Sequence, residues 1–345
     1  MNVERPDLSQ TDPAVRAYIQ ALEAELARLR PQDSSPPPAL EPSEPPTTLN
    51  VITISAASVA KRTPRHLYTR QRRGGMGVFD LDTPKDDPPT FLTIADEDQK
   101  LLLLTSQARA FYLPVDKLPA SPVRSRGQSL SASDVLPLRP QERLAHVVPD
   151  GEGTYLALLS QRGYVRLIGR PYLRPATPLY DTKTFGPLVA ACWTGGQDEL
   201  FVVTRQGRAI RFAERGLPVS GGRGLRLTGD DVAVAVAAVG PESGVFLCSA
   251  NGLGTIRLMS GFNPNKAPGA GGKVAIKSAH VVGAVAVDEA EADDLFILSR
   301  LGKVVRFQAA DVPGKEGVVQ GVRCMALRND ETVAVARSLA QSSET

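Results

Sequence analysis

The chain has 345 residues, enough to bury one large core or two ordinary ones, and its 42% hydrophobic and 22% charged content is that of a globular protein. No apolar run reaches the length of a membrane span, and the N-terminus lacks a basic segment followed by an apolar one, so a cytoplasmic protein without a membrane partner is expected. The three scattered cysteines, Cys192, Cys248 and Cys324, argue against a disulfide framework or a zinc site and are expected as small buried strand residues. A net charge of +3 conceals an asymmetry: residues 1–50 carry four arginines against eight acids, while residues 51–345 carry 36 basic and 29 acidic residues.

In chain order, "DPAVRAYIQALEAELARLRP" predicts one helix within residues 1–30, with Asp12 as cap, Pro13 in the first turn and Pro31 as stop. Val15, Ile19, Leu22, Leu26 and Leu29 alternate steps of four and three and form a narrow apolar seam. Two heptads are few for an independent coiled coil. The seam therefore suits docking on the chain's own domain or a partner as well as self-association. Residues 31–48 hold seven prolines and predict an extended linker.

From Leu49 to about residue 340 the pattern changes to short apolar runs separated by turns, leaving residues 341–345 as a tail. Six segments share one grammar: "VITISAASVAKRT", "LLLLTSQARAFYL", "YLALLSQRGYVRLI", "LFVVTRQGRAIRF", "VFLCSANGLGTIRL" and "LFILSRLGKVVRF". Each has an apolar run ending in a hydroxyl residue (Ser55, Thr105, Ser160, Thr204, Ser249, Ser299), a tight turn and a second strand. Glycine stands three positions after the hydroxyl in four of them, at Gly163, Gly207, Gly252 and Gly302, where a hairpin turn requires positive φ. A further glycine follows each hairpin (Gly77, Gly127, Gly186, Gly224, Gly272, Gly321), and then a closing apolar run. Four strands per repeat of this length predict an all-β fold, a six-bladed β-propeller.

Two features suggest a basic rim. Alternation along the second hairpin strand places Arg62, Arg211 and Arg306 opposite the inward apolar residues, on a face expected to be exposed. Residues 61–79 carry Lys61, Arg62, Arg65, Arg70, Arg72 and Arg73 with no acid, beside Gly74, Gly75 and Gly77. Glycines would let backbone amides approach phosphates while guanidiniums neutralise them.

The stretch "QRRGGMG", Gln71 to Gly77, preceded by "KRTP", resembles the signature box of the C-terminal domain of the DNA gyrase A protein. "TRQGRAIRF" with "GGRGLRL", and "LGKVVRF" with "QGVRCMAL", are similar to later repeats of that domain. The resemblance implies a six-bladed β-pinwheel that binds double-stranded DNA around its rim and bends or wraps it, with little sequence preference, as a nucleoid-located accessory of DNA topology. Arg208, Arg223 and Lys303 join the residues already named as the DNA-binding set it implies, with Gln71. No cofactor is implied. Because the family's catalytic tyrosine lies in a breakage-reunion domain ahead of the pinwheel, residues 1–48 suggest a free-standing, non-catalytic module whose helix engages a gyrase, a related topoisomerase or a second copy. The alternative is a protein-interaction scaffold on a degenerate propeller, docking through the helix.

Several residues depart from the family pattern. Met76 stands where lysine is usual, and residues 80–98 carry seven acids against one lysine. Repeats three and five read as having lost the basic glycine segment. His66, His146 and His280 are isolated, and Asp230–Asp231 and Asp293–Asp294 read as turns between strands.

Overall fold

The computed structural model describes residues 11–29, 44–131, 135–264, 267–278, 280–288, 290 and 292–338. The chain divides into two compact units, Met1–Glu41 and Pro42–Thr345. In the first, a helix spans Pro13–Leu29, and the Asp12 carboxylate accepts the Ala14 amide at 2.8 Å, as a helix cap should. Val15, Tyr18 and Leu22 are 47%, 66% and 46% exposed. The side chains of Leu26 and Leu29, most of the expected linker and the tail lie outside the described residues. No described helix is long and apolar enough to cross a membrane.

The second unit is a propeller of six antiparallel blades. Five blades have an inner strand, two hairpin strands and a short outer strand. Blade one contains Pro89–Asp96, Leu49–Ser55, Val59–Pro64 and Gln128–Ser129 in that order. The last of these comes from the second repeat, and the exchange recurs around the ring. Val78–Phe79 of the first repeat becomes the outer strand of blade six, pairing with Lys303–Gln308 and closing the circle. Blade two has three named strands, with a bridge between Arg109 and Pro178 where the outer strand would run.

Local chemistry accounts for the repeating hairpin. The residue three after each anchor donates its amide to the anchor carbonyl in all six repeats, at 2.8–3.0 Å. In five repeats the anchor hydroxyl also accepts the amide four residues on, from Val59 to Ser55 at 3.0 Å through Lys303 to Ser299 at 3.1 Å. The hydroxyl thus satisfies a donor that the tight turn would otherwise orphan. Where the first two repeats lack glycine, Ser58 (φ 66°) and Ala108 (φ 55°) adopt the left-handed conformation.

The outer strands explain a second set of glycines. A Cβ on Gly77 would stand 2.7 Å from the Val304 carbonyl oxygen, and one on Gly221 would stand 2.8 Å from that of Val165. Gly127, Gly272 and Gly321 make the equivalent approach to the preceding blade. This register corrects two expected positions. In repeat four the strand-contacting glycine is Gly221 and not Gly224, and in repeat three the place is filled by Ala176 (φ 60°), while Gly186 ends the short helix Thr182–Phe185.

Core residues lie between blades. Ile52 and Ile54 of blade one pack with Leu101, Leu103 and Phe111 of blade two, and Val51 with Phe296 of blade six. Both faces of a blade are therefore covered. The six inner strands surround an axial cavity of about 590 Å³ lined largely by small residues such as Ala190, Ala237 and Ala336. Cys248 and Cys324 are buried and Cys192 is half-buried; burial pushes the thiols of Cys192 and Cys248 up to about 12. Asp294 opens a blade-six strand and is buried, so the pair with Asp293 is not the expected turn.

Candidate nucleic-acid interface

Along the rim, the outer segments of successive repeats touch one another. Parallel bridges join Arg226 to Gly271, Ile276 to Val319, Met325 to Gly75, and Leu81 to Ser125. Segments four, five, six, one and two thereby form one continuous belt. No such bridge involves segment three among the described residues.

The belt presents exposed cations on every member. Segment four carries Arg223 and Arg226, segment five Lys273 and Lys277, segment six Arg323 and Arg328, segment one Arg72 and Arg73, and segment two Arg124 and Arg126. Asp82 and Glu316 are exposed on the same belt. Segment three lies outside this chain of bridges: the register that holds Arg226 and Lys277 is occupied there by Asp181, as it is by Asp82 in segment one, and the Asp181 carboxylate caps the short helix by accepting the Lys183 amide at 3.0 Å, with Arg174 and Lys183 exposed nearby.

The glycine box occupies the joint between blades five and six, but its amides face inward. Gly74 donates to the Cys324 carbonyl at 2.7 Å, Gly75 to that of Arg72 at 3.1 Å, and Gly77 to the Gln71 side-chain oxygen at 3.4 Å. Gln71 itself donates its amide to the Arg306 carbonyl at 2.7 Å. The expected phosphate cradle of backbone amides is thus corrected: these glycines permit close packing of the first repeat on the last. What the box offers to the outside is the side chains of Arg72, Arg73 and Met76. Arg70 is 40% exposed and pairs with Asp294 at 2.9 Å.

The hairpin arginines are also corrected. Arg306 is 1% exposed, donating to Asp294 at 2.7 Å, to Glu44 at 2.6 and 3.0 Å, and to the Arg65 and Tyr68 carbonyls at 3.3 and 3.2 Å. Arg211 is buried against Glu199 at 2.6 Å and the Met259 carbonyl at 2.7 Å. Arg62 reaches Glu97 at 3.7 Å with an 11% exposed side chain. The cause is architectural, because in stacked blades the face opposite one core is another blade and not solvent.

Lys61 and Arg65 are buried as well. Lys61 pairs with Asp80, which also accepts from Thr53 at 2.6 Å and from Tyr68. Burial, which outweighs the raising effect of Asp80, holds the Lys61 ammonium below its ordinary value. Arg65 donates to Glu44 at 2.9 and 3.0 Å and to Ser338 at 2.5 Å. Burial alone would raise the Glu44 carboxyl, but hydrogen bonds from Arg306 and Arg65 more than offset it and hold the group below 4.5. Glu44 thereby ties the first blade to the last.

Of the remaining residues expected at the interface, Arg223 is exposed, while Arg208 and Lys303 are half-buried, Arg208 donating to the Gly272 carbonyl. Sequence reasoning overlooked Arg124, Arg126, Arg226, Lys277, Arg323 and Arg328, and wrote off segment five, whose Lys273 and Lys277 are exposed. Their shared signal is a cation within a few residues of the outer-strand glycine.

This architecture is that of a closed six-bladed propeller with exchanged outer strands and a basic rim. The sequence profile of the family described as "DNA gyrase C-terminal domain, beta-propeller" matches residues 49–87, 99–149, 198–239 and 293–338, more than half of the chain. The chain belongs to that family. It is 27% identical over 316 residues to the DNA gyrase A protein of Mycolicibacterium smegmatis, covering 84% of this chain and 36% of that protein. The corresponding Salmonella typhimurium protein is 26% identical over 307 residues, with 84% and 34% covered. The chain thus spans about a third of the length of these curated relatives. In fold it is similar to a solved DNA gyrase A C-terminal domain (TM-score 0.66, 19% identity, 84% of this chain and 100% of that one). It is also similar to the C-terminal domain of DNA topoisomerase IV (TM-score 0.59, 17% identity, 85% and 94%).

Proposed function

We propose that this propeller is a non-catalytic module that binds duplex DNA along its rim and bends or wraps it, as an accessory of DNA topology control. The observation that carries this reading is the belt of five bridged segments, each with exposed cations. Bending a 20–30 bp site by 40–90° costs roughly 1–6 kcal/mol, which contacts at a single point cannot repay but contacts along an arc can. Arginine and lysine side chains spread along the rim suit phosphates, which fits weak sequence preference and an affinity set by charge neutralisation.

The arc is open at segment three, so DNA would follow most of the rim and leave it there. If both cations on each of the five segments neutralise a phosphate, log affinity falls against log salt with a slope approaching about −9, at about −0.9 per contact. The decisive experiment seals a nicked circle in the presence of the protein and reads its linking number. A shift that grows with protein is expected; binding without a shift overturns wrapping. Failure to retard long duplex at ~50 mM salt overturns DNA binding itself.

The helix supports an attachment role beside this one. Val15, Tyr18 and Leu22 are exposed on a capped helix, an apolar surface suited to a topoisomerase partner or a second copy. Sedimentation of the full chain against a chain beginning at Pro42 tests the second-copy form, and equal monomeric masses overturn it.

A further inference from the structure

Phe79 stands out on the belt because it is aromatic where none of its counterparts is. It lies opposite Lys303, the residue following the hairpin turn of blade six. The same register position is held by Arg223, opposite Tyr164 in blade three, and by Arg323, opposite Leu253 in blade five, while Ser129, Pro178 and Val274 hold it in blades one, two and four. Those two arginines are exposed, so the position points outward from the rim.

The Phe79 ring is 50% exposed, although Val78 beside it packs into the core between blades one and six. Two cations flank it: the Lys303 ammonium lies 5.0 Å from the ring centroid and the Arg124 guanidinium 5.7 Å. Three residues earlier on the same segment, Met76 is also 50% exposed. An aromatic ring held outward between two positive charges meets a duplex in a specific way. The charges hold the phosphates on either side of a base step, and the ring faces the stack between them.

Resting on the DNA-binding reading above, we propose that Phe79 is a wedge that enters a base step of rim-bound duplex DNA and places a kink at the joint between blades six and one. Apolar side chains inserted between base pairs unstack them and kink the duplex, and sites already weakened resist this least. The occupant is thus duplex DNA at a deformable step.

The test uses the full chain and two duplexes of equal length, one fully paired and one with a central mismatch beside a 2-aminopurine. The native chain should bind the mismatched duplex about fivefold tighter and raise the 2-aminopurine fluorescence about threefold as the base unstacks. Phe79→Ala should bind the paired duplex within about twofold of the native chain yet lose both the preference and the fluorescence, whereas Phe79→Leu, still a wedge, keeps most of each. Phe79→Arg, which restores the residue found in blades three and five, should bind the paired duplex more tightly, steepen the salt dependence by about 0.9 and show no mismatch preference. Equal binding of the two duplexes by the native chain with unchanged fluorescence overturns the wedge while leaving rim binding intact. So does a Phe79→Ala chain that keeps the preference, the result expected if the ring is only a perch for Lys303 and Arg124. Failure of the native chain to bind either duplex overturns the underlying reading and the wedge together. Circular dichroism melting of each variant confirms that the comparison is between folded proteins.

Discussion

The arginines of the hairpins and the arginines of the outer segments share a residue type and a repeat, and their roles are opposite. Arg211 and Arg306 lie inside the blade stack with an acid and backbone carbonyls around each. Arg72, Arg73, Arg223 and Arg323 stand on the rim, exposed. The difference teaches that positive charge in this propeller holds blades together in one place and offers a surface in another, and that counting arginines per repeat confuses the two. Substitutions should therefore separate stability from DNA affinity almost completely.

The largest effect falls on the buried group. Arg306→Ala leaves Asp294 and Glu44 without their common partner, and breaking a buried pair in this way costs about 3–5 kcal/mol. Urea unfolding should show that loss, while the affinity of the molecules that remain folded is little changed. A fall in affinity with full stability would break the comparison.

Next in size is Gly77→Ala. The residue sits at φ 69° with the Val304 carbonyl 2.7 Å from the place a Cβ would take, so strain of about 1–3 kcal/mol is expected in urea unfolding. Ala176 tolerates a similar φ in repeat three, where the outer strand is reduced to a single bridge. A Gly77→Ala chain as stable as the native one would show that the close approach, and not φ alone, had been overrated.

The rim pair sharpens the contrast from the other side. Arg72→Ala with Arg73→Ala should leave unfolding within about 0.5 kcal/mol of native, as exposed substitutions do. The same change should lower the slope of log affinity against log salt by about 1.8, two contacts at about 0.9 each. Unchanged salt dependence would remove the glycine box from the interface.

Much of this architecture is legible in the sequence because its signals are local. The anchor hydroxyl, the positive-φ residue three places on and the closing apolar run all act within one hairpin, so their spacing survives in each repeat. Strand exchange is not local. The outer strand is paired with the preceding blade, which is why Gly221 and Ala176 could not be told from Gly224 and Gly186 by counting within a repeat. The fate of the hairpin arginines depended on the same thing. Their acids did carry a signal, since Glu199 and Asp294 each precede their arginine by 12 residues on the first hairpin strand. The corresponding residue in repeat one is Asn50, and Arg62 has only the more distant Glu97. The spacing is informative only within a hairpin, where strand pairing brings acid and arginine together; Glu214, Asp311 and Glu316 precede Arg226, Arg323 and Arg328 by the same 12 residues on the outer segments, and those arginines are exposed.

The pH response is where the two classes of charge should part again. Glu44, held below 4.5 by Arg306 and Arg65 against the opposing pull of burial, binds protons more weakly folded than unfolded. Its contribution to stability is therefore complete above 4.5 and is lost as pH falls through the lower folded value. His146 acts in a higher window. Burial drives its imidazole from 6.5 down to about 4, against the hydrogen bond its ring nitrogen makes to the Ala191 carbonyl at 3.0 Å. The unfolded chain takes up a proton there before the folded one does, so stability should decline as pH drops from 6.5 toward 4. In urea titrations, His146→Asn should flatten that upper window and Glu44→Gln only the limb below it. DNA affinity per folded molecule rests on the rim and not on Glu44 or His146, so it should stay level between about pH 5 and 8. An affinity that tracked the stability curve across that range would mean that buried and exposed charge are coupled, and that the ring-closing residues help shape the surface on which the duplex lies.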